Sequence, residues 1–427
     1  AIKERQQFAG RHLLSRATEM AEAIVAHLRP HAPGVAIDTV GSVRRGHDTS
    51  GDIDILAAGA DPGLIERFIQ FPQVERVLAN GGTKASVLIR GGFQADLRIV
   101  TPEQRGAALQ YFTGSKAHNI ALRDRALARG WKLNEYGLFD GDDRVIAAET
   151  ESQIYEALGL TFIEPELREH RGELAAAEAR QLPHLIELSD LRGDLHMHTT
   201  ESDGRESLET MVAAARAKGL DYIAITDHSQ SLAMANGLDE RRTLAHAERI
   251  RAYSRSLDGM TVLAGIECDI LSDGALDLDD DCLAALDIVV ASVHSALTQD
   301  EADMTRRVVR AIEHPSVDII GHLTARMLLR RDGTKVHIER VIDAARANGV
   351  ALEINSQPHR LDLCDSHARL ARDRGVKLVI NSDGHDVPAL DYTRWGVLTA
   401  RRAWLTRGDV LNTLPLPDFL AALRRHR

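Results

Sequence analysis

Between Gly193 and His385, one apolar run after another ends in an imidazole or a carboxylate. The first closes on His196 and His198, with Asp203 just beyond. The second runs from Asp221 to His228, and the next three end at Glu267, His294 and His322. The last reaches Asn381 and then presents Asp383 and His385. Imidazole and carboxylate are the donors that zinc, manganese and iron prefer. Strand ends of one chemistry converge on a point only if the strands run parallel around a common axis. That is the geometry of a (β/α) barrel, whose site lies at the carboxyl ends of its strands. A doubly wound open sheet is the alternative, but it would spread the same groups along a line. The strand candidates are residues 194–198, 222–227, 262–267, 288–294, 317–322, 351–355 and 377–381, with helical stretches between most of them. Seven βα units predict a TIM-like barrel with seven strands rather than eight.

The barrel leaves more than a third of the 427 residues to other domains. The net charge is −11, and most of the acid excess lies beyond Pro165. That balance does not announce a nucleic-acid binder, yet carboxylates that hold cations change sign locally. Three cysteines, Cys268, Cys282 and Cys364, form no CxxC pair. They point to a reducing cytoplasm rather than a disulfide scaffold. Cys268 follows Glu267 on its strand and is expected on the opposite face, in the core. No apolar run approaches bilayer length, so no membrane contact is expected. The chain begins with Ala1 rather than Met, as expected of a trimmed terminus.

The first part reads as α+β. A helix is expected over residues 4–28, from apolar positions such as Leu13, Leu14, Ala17, Met20, Ile24 and Leu28. Strands are expected at 35–40, 53–58, 86–89 and 94–100, with a helix at 63–69. Residues 101–130 read as mostly helical, and 132–145 as short strands. Asp52 and Asp54 lie two apart on one strand and project from one face. Asp96 is a third acid on a second strand. Three carboxylates so placed can hold two magnesium ions, the arrangement that activates one oxygen and stabilises a leaving one. Gly41 would allow close backbone approach, and Ser42 and Arg45 could bind phosphate. A solvated edge strand with incidental acids is the other reading of Asp52 and Asp54 alone.

The segment from Gly41 to Asp54 resembles the nucleotidyltransferase motif of family X DNA polymerases, the group that includes polymerase beta. The run Tyr111-Phe112-Thr113-Gly114-Ser115, followed by Asn119 and Arg123, resembles the family's nucleotide-binding helix. The run from Asn134 to Leu138 resembles its thumb. The resemblance implies catalytic metal ligands at Asp52, Asp54 and Asp96, holding Mg2+ or Mn2+. It implies nucleotide contacts from Gly41, Ser42, Arg45, Tyr111, Phe112, Gly114 and Asn119, with Tyr111 and Phe112 against the incoming sugar and Asn119 at the base. DNA contacts fall to Arg98 and Arg123, and Arg11 is expected to reach the triphosphate. Nothing before Gly41 reads as a helix–hairpin–helix.

The second part resembles the PHP domain that bacterial members carry. Its metal ligands would be His196, His198, Asp203, His228, Glu267, His294, His322, Asp383 and His385, enough for about three Mn2+, Zn2+ or Fe ions. Asp227 is expected to orient an imidazole. His118, His170, His246, His314 and His359 are assigned structural places.

The resemblance thus implies an α/β and α+β multidomain chain: palm with leading helix over 1–100, thumb over 101–165, linker over 166–190 and PHP barrel over 191–427. It implies a bifunctional repair enzyme: a template-directed DNA polymerase with a metal-dependent 3′–5′ exonuclease. Primer–template or gapped DNA and dNTP would be its partners, and the chain would be a cytoplasmic monomer. A nuclease with a DNA-positioning module, a histidinol-phosphate-type phosphatase and a non-catalytic scaffold are the competing readings.

Overall fold

The computed structural model describes residues 10–423, which divide into two compact units between Pro183 and His184. In the first, β1 (His12–Leu13) pairs antiparallel with β3 (Thr49–Ser50). The central sheet comprises β2 (Ala36–Thr39), β4 (Asp52–Ala58), β5 (Val74–Asn80), β6 (Lys84–Ile89) and β7 (Phe93–Val100), in the order β2-β4-β7-β6-β5. β4 and β7 are parallel, and their register sets Asp54 opposite Asp96. Along β4, Ile53 and Ile55 are buried while Asp52 is exposed and Asp54 half-buried, so the alternation expected of the strand is present.

Two local expectations change. The helix starts at Leu14 rather than near residue 4; the part of that expectation before Gly10 lies outside the described residues. The buried stripe of Leu14, Ala17, Ala21, Ile24 and Leu28 begins only there. Upstream, the Arg11 guanidinium donates to the Thr49 hydroxyl and carbonyl, at 2.9 and 2.7 Å, and holds the segment extended. β5 was not legible in the sequence, because almost every residue of this edge strand is exposed and its apolar pattern has no buried face.

After β7 come helices Arg105–Thr113 and Lys116–Leu127, then the antiparallel strands β8 (Lys132–Asn134), β9 (Gly137–Phe139) and β10 (Val145–Ala147). A helix over Glu151–Ala157 follows. Residues 166–183 pack within this unit. Arg168 is fully buried, donating to Glu151 at 2.5 Å and to the Ile163 carbonyl at 2.9 Å.

The second unit is a seven-stranded, all-parallel barrel: β11 (Gly193–Asp194), β12 (Tyr222–Ile225), β13 (Thr261–Asp269), β14 (Ile288–Ser292), β15 (Ile319–Ile320), β16 (Ala351–Asn355) and β17 (Leu378–Asn381). The first and last strands meet beyond their ends: Met197 bridges Gly384 in parallel, and the His198 amide donates to the Gly384 carbonyl at 2.8 Å. Lower down, the Asn412 amide spans both, donating to the carbonyls of Gly193 and Ile380. Period-two alternation then sorts the side chains. Leu263, Ile288, Val290 and Val379 fill the interior with Tyr222 and Phe419. Val262, Ala264, Ile266 and Cys268 pack outside, as do Leu378 and Ile380. Glu267 is in phase with Leu263, and His294 with Val290, so the interior is apolar at its base and lined by imidazole and carboxylate at its mouth. No helix of the described residues is long and apolar enough to cross a membrane.

Candidate active sites

The first site is built on β4 and β7. Burial, then the neighbouring Asp52 and Asp96, push the Asp54 carboxyl up to about 7. Lys84 lies 3.6 Å from Asp96, and the Gln94 amide donates to it. Three like charges gathered with so little compensation are the condition a divalent cation relieves, so the residues fit such an ion. Gly41 holds φ +68°, and a Cβ there would lie 2.4 Å from Asp54 Oδ2. The turn therefore requires glycine both for its backbone and for the carboxylate beside it.

The nucleotide-contact candidates lie around this turn, but several are engaged. Ser50 Oγ donates to the Asp52 carbonyl, so Ser42 Oγ, 2.6 Å away, must donate to Ser50. Its proton reaches a phosphate only after rotation. Arg45 Nε donates to Glu169 at 3.0 Å and Nη1 to the Thr113 carbonyl at 2.5 Å. Gly114 lies beside that guanidinium. The Asn119 amide donates to the Tyr111 carbonyl at 2.7 Å and accepts from Gln110 at 2.8 Å, which leaves it one proton and one lone pair. Tyr111 and Phe112 meet edge to face, and the Arg98 guanidinium covers Phe112 at 4.6 Å. Arg123 is exposed.

At the barrel mouth the expected residues come together. Three groups have ligating atoms within 4.8 Å of one another: His198, Asp203, His228 and His385; His196, His198 and Asp383; His228, Glu267 and His294. Glu267 is the hub, 2.9 Å from His228 and His322, 3.2 Å from His196, 3.4 Å from His294 and 3.6 Å from His198. His198 stacks on His228 and on His385, with ring centroids 4.3 and 4.1 Å apart.

Donor chemistry tests whether cations fit. Both His198 ring nitrogens, His196 Nε2, His228 Nδ1 and Glu267 Oε2 are buried without a hydrogen-bond partner. Lone pairs this close and this unsatisfied cost several kcal/mol in aggregate, on the order of 1–3 each, unless something coordinates them. The cluster's electrostatics are divided. Burial lowers the His294 imidazole, but Glu267 and Asp269 outweigh it and lift it to about 10. His385 rises to about 9 against burial, through Asp203 and Asp383. Burial, then the neighbouring His385 and His228, take His198 down to about 4. Protons here stand where cations would, which fits a metal site.

Some contributors were not foreseen. Glu353 is fully buried; it accepts from His196 Nδ1 at 2.7 Å and from the His322 amide at 2.8 Å. Asp269 accepts from His294 Nδ1 at 2.6 Å. Each fixes which ring nitrogen faces the cluster. Their place in the strand alternation, two residues from Asn355 and Glu267, was the available signal. Asp227 does hold an imidazole, but that of His246 at 3.0 Å rather than that of a candidate ligand, and it also accepts from Thr199 and Ser202. It braces the loop that carries Asp203.

Three family models match the chain: DNA polymerase beta palm over residues 15–77, DNA polymerase beta thumb over 108–169 and PHP domain over 194–357. A Bacillus subtilis protein described as DNA polymerase/3′-5′ exonuclease PolX is 39% identical over all of this chain and 75% of its own length. A "probable phosphatase" from a Thermoanaerobacter species is 31% identical over 52% of this chain and 89% of its own. A solved ternary complex of Leishmania infantum polymerase beta covers 39% of this chain and 80% of its own, with 23% identity and a TM-score of 0.35.

Proposed function

The chain belongs to the family of DNA polymerase/3′-5′ exonucleases named PolX, and on that premise we propose that it both adds nucleotides to a DNA 3′ end and removes them. The reading rests on one observation above all: a single chain carries the registered acids of β4 and β7 and, at the barrel mouth, eight residues in three groups that could hold a metal, with His322 2.9 Å from Glu267. Residues 1–100 act as palm, 101–165 as thumb and 191–427 as the phosphoesterase barrel, with 166–190 between them, of which 166–183 pack within the first unit.

Asp52, Asp54 and Asp96 would hold Mg2+ or Mn2+. His196, His198, Asp203, His228, Glu267, His294, His322, Asp383 and His385 would hold about three Mn2+, Zn2+ or Fe ions. Bound cations neutralise phosphate oxygens and acidify the attacking hydroxyl group. The chain's own groups do the rest. Gly41 lets the triphosphate approach the backbone; Ser42 turns its proton from Ser50 towards phosphate; Arg45 exchanges Glu169 for phosphate oxygens. Tyr111, Phe112, Gly114 and Asn119 frame sugar and base, while Arg98 and Arg123 meet the strand. At the barrel, Glu353 and Asp269 keep His196 and His294 in one tautomer. DNA as substrate and three free cysteines support a cytoplasmic setting in this reading, with the chain working as a monomer.

The test is a labelled primer–template incubated with manganese, with and without dNTPs. Extension with dNTPs and shortening without them are expected; the absence of extension leaves a nuclease only. The resemblance of the barrel to the Thermoanaerobacter phosphatase favours a second reading, a small-molecule phosphatase. Phosphate release from histidinol phosphate, without shortening of DNA, would select it.

A further inference from the structure

The loops that follow β15 and β16 are tied to each other and to the metal cluster. The Leu328 amide donates to the His359 carbonyl at 2.8 Å. Arg326 Nε donates to the Arg360 carbonyl at 2.8 Å. Gln357 anchors the pair: its side chain donates to the Asp383 carbonyl at 2.5 Å, and its amide to Asn355 Oδ1 at 3.1 Å. Asn355 in turn donates to the Asp383 carboxylate at 2.9 Å. Arg330, His359 and Arg360 therefore share one edge of the mouth. Arg330 is exposed; His359 and Arg360 are half-buried. Among the described residues, neither the Arg330 nor the Arg360 guanidinium has a carboxylate or hydrogen-bond partner. Burial, then Arg360, takes His359 down to about 4, with Arg330, Asp383 and His385 also within its field. The imidazole is thus neutral, a hydrogen-bonding group within the field of both cations.

We propose that Arg330, His359 and Arg360 form the phosphate-binding rim of the barrel site, and that their ligand is the nucleoside 5′-monophosphate unit at the 3′ end of a DNA strand. The proposal rests on the nuclease reading above and names the part of the substrate this edge recognises. A strand end entering a mouth rich in carboxylates is repelled wherever cations do not cover it. Guanidinium groups supply the covering charge in a fork that matches phosphate oxygens. Two of them left unpaired in an acid-rich unit, on loops pinned to a ligating aspartate, are placed for that purpose. His359 was assigned a structural place from the sequence; its position at the mouth moves it to the rim.

The probe is thymidine 5′-monophosphate, titrated calorimetrically into the manganese-loaded full chain. Arg330→Ala and Arg360→Ala should each weaken binding about tenfold. Bound metal, measured by elemental analysis, and the unfolding midpoint should stay at wild-type values. Arg360→Lys should recover part of the loss. In the shortening assay the same variants should raise KM more than they lower kcat. Thymidine, which lacks the phosphate, should bind wild type and variants alike. The proposal falls if the variants hold the monophosphate as tightly as wild type does, if they lose metal in step with affinity, or if wild type does not bind the monophosphate. Rim-dependent binding by a protein that does not shorten DNA would uphold the rim and refute the nuclease reading.

Discussion

Asp54 is held where its neighbours oppose its charge, and the consequence can be measured without substrate. Its folded pKa, about 7, stands above the ordinary 3.8 because of burial and of Asp52 and Asp96. Between those values the folded chain keeps a proton that the unfolded chain has released. The stability contributed by this group is therefore complete in acid and is lost as pH rises through 7. In metal-free protein, Asp54→Asn should raise the free energy of unfolding at pH 8 by an amount on the order of a few kcal/mol and leave it nearly unchanged at pH 4. Magnesium should stabilise wild type at pH 8 more than the variant. A variant no more stable than wild type at pH 8 would show that the three acids do not repel one another in the free protein.

Helices of the first unit are joined by a polar junction rather than by apolar contact alone. His118, on the helix Lys116–Leu127, is fully buried. Its Nδ1 donates to Glu173 at 2.7 Å, and its Nε2 accepts from the Tyr155 hydroxyl at 2.9 Å. Burial lowers its pKa, against the pull of Glu173, so the ring is a neutral connector of three helices. His118→Ala would leave the buried Tyr155 hydroxyl without its acceptor and Glu173 with only the backbone amides of His170 and Arg171, and should cost about 2–3 kcal/mol, read as a lower denaturation midpoint. A loss below about 1 kcal/mol would mean the junction is solvated. A hydrogen-bonded structural place was expected for this histidine, beside Asn119 on its helix, but its partners were not legible. Glu173 and Tyr155 are dozens of residues away, and nothing local marks them. The same holds for Glu169 on Arg45 and Glu353 on His196: pairings across the chain leave no period in the sequence. What the sequence does record is periodic or motif-borne. The barrel strands were legible because alternation fixes the face of each strand end, and the residues gathered at the mouth were named from the PHP resemblance at those ends, whereas β5 was not, because an exposed edge strand carries no such phase.

At the scale of the molecule, the acids of the first site and the candidate ligands of the second belong to separate compact units, so the two activities should separate by mutation. Asp52→Ala or Asp96→Ala removes a carboxylate that no barrel residue can replace. Primer extension should fall about a hundredfold or more, and 3′-end shortening should stay within about twofold of wild type. Asp383→Ala or His198→Ala should do the reverse. His198 takes part in two of the three ligand groups, and Asp383 joins His196 and His198 in one. Each loss opens a coordination position, and shortening should drop about tenfold or more, the scale at which changes beyond the ligands themselves already act. Elemental analysis gives an independent reading: wild type should hold about three barrel ions after manganese loading, and the barrel variants fewer. The decisive comparison follows one labelled strand through wild type, Asp383→Ala and Asp96→Ala. Shortening that persists in Asp383→Ala and disappears in Asp96→Ala would place the nuclease on β4 and β7 and leave the barrel cluster without its assigned chemistry.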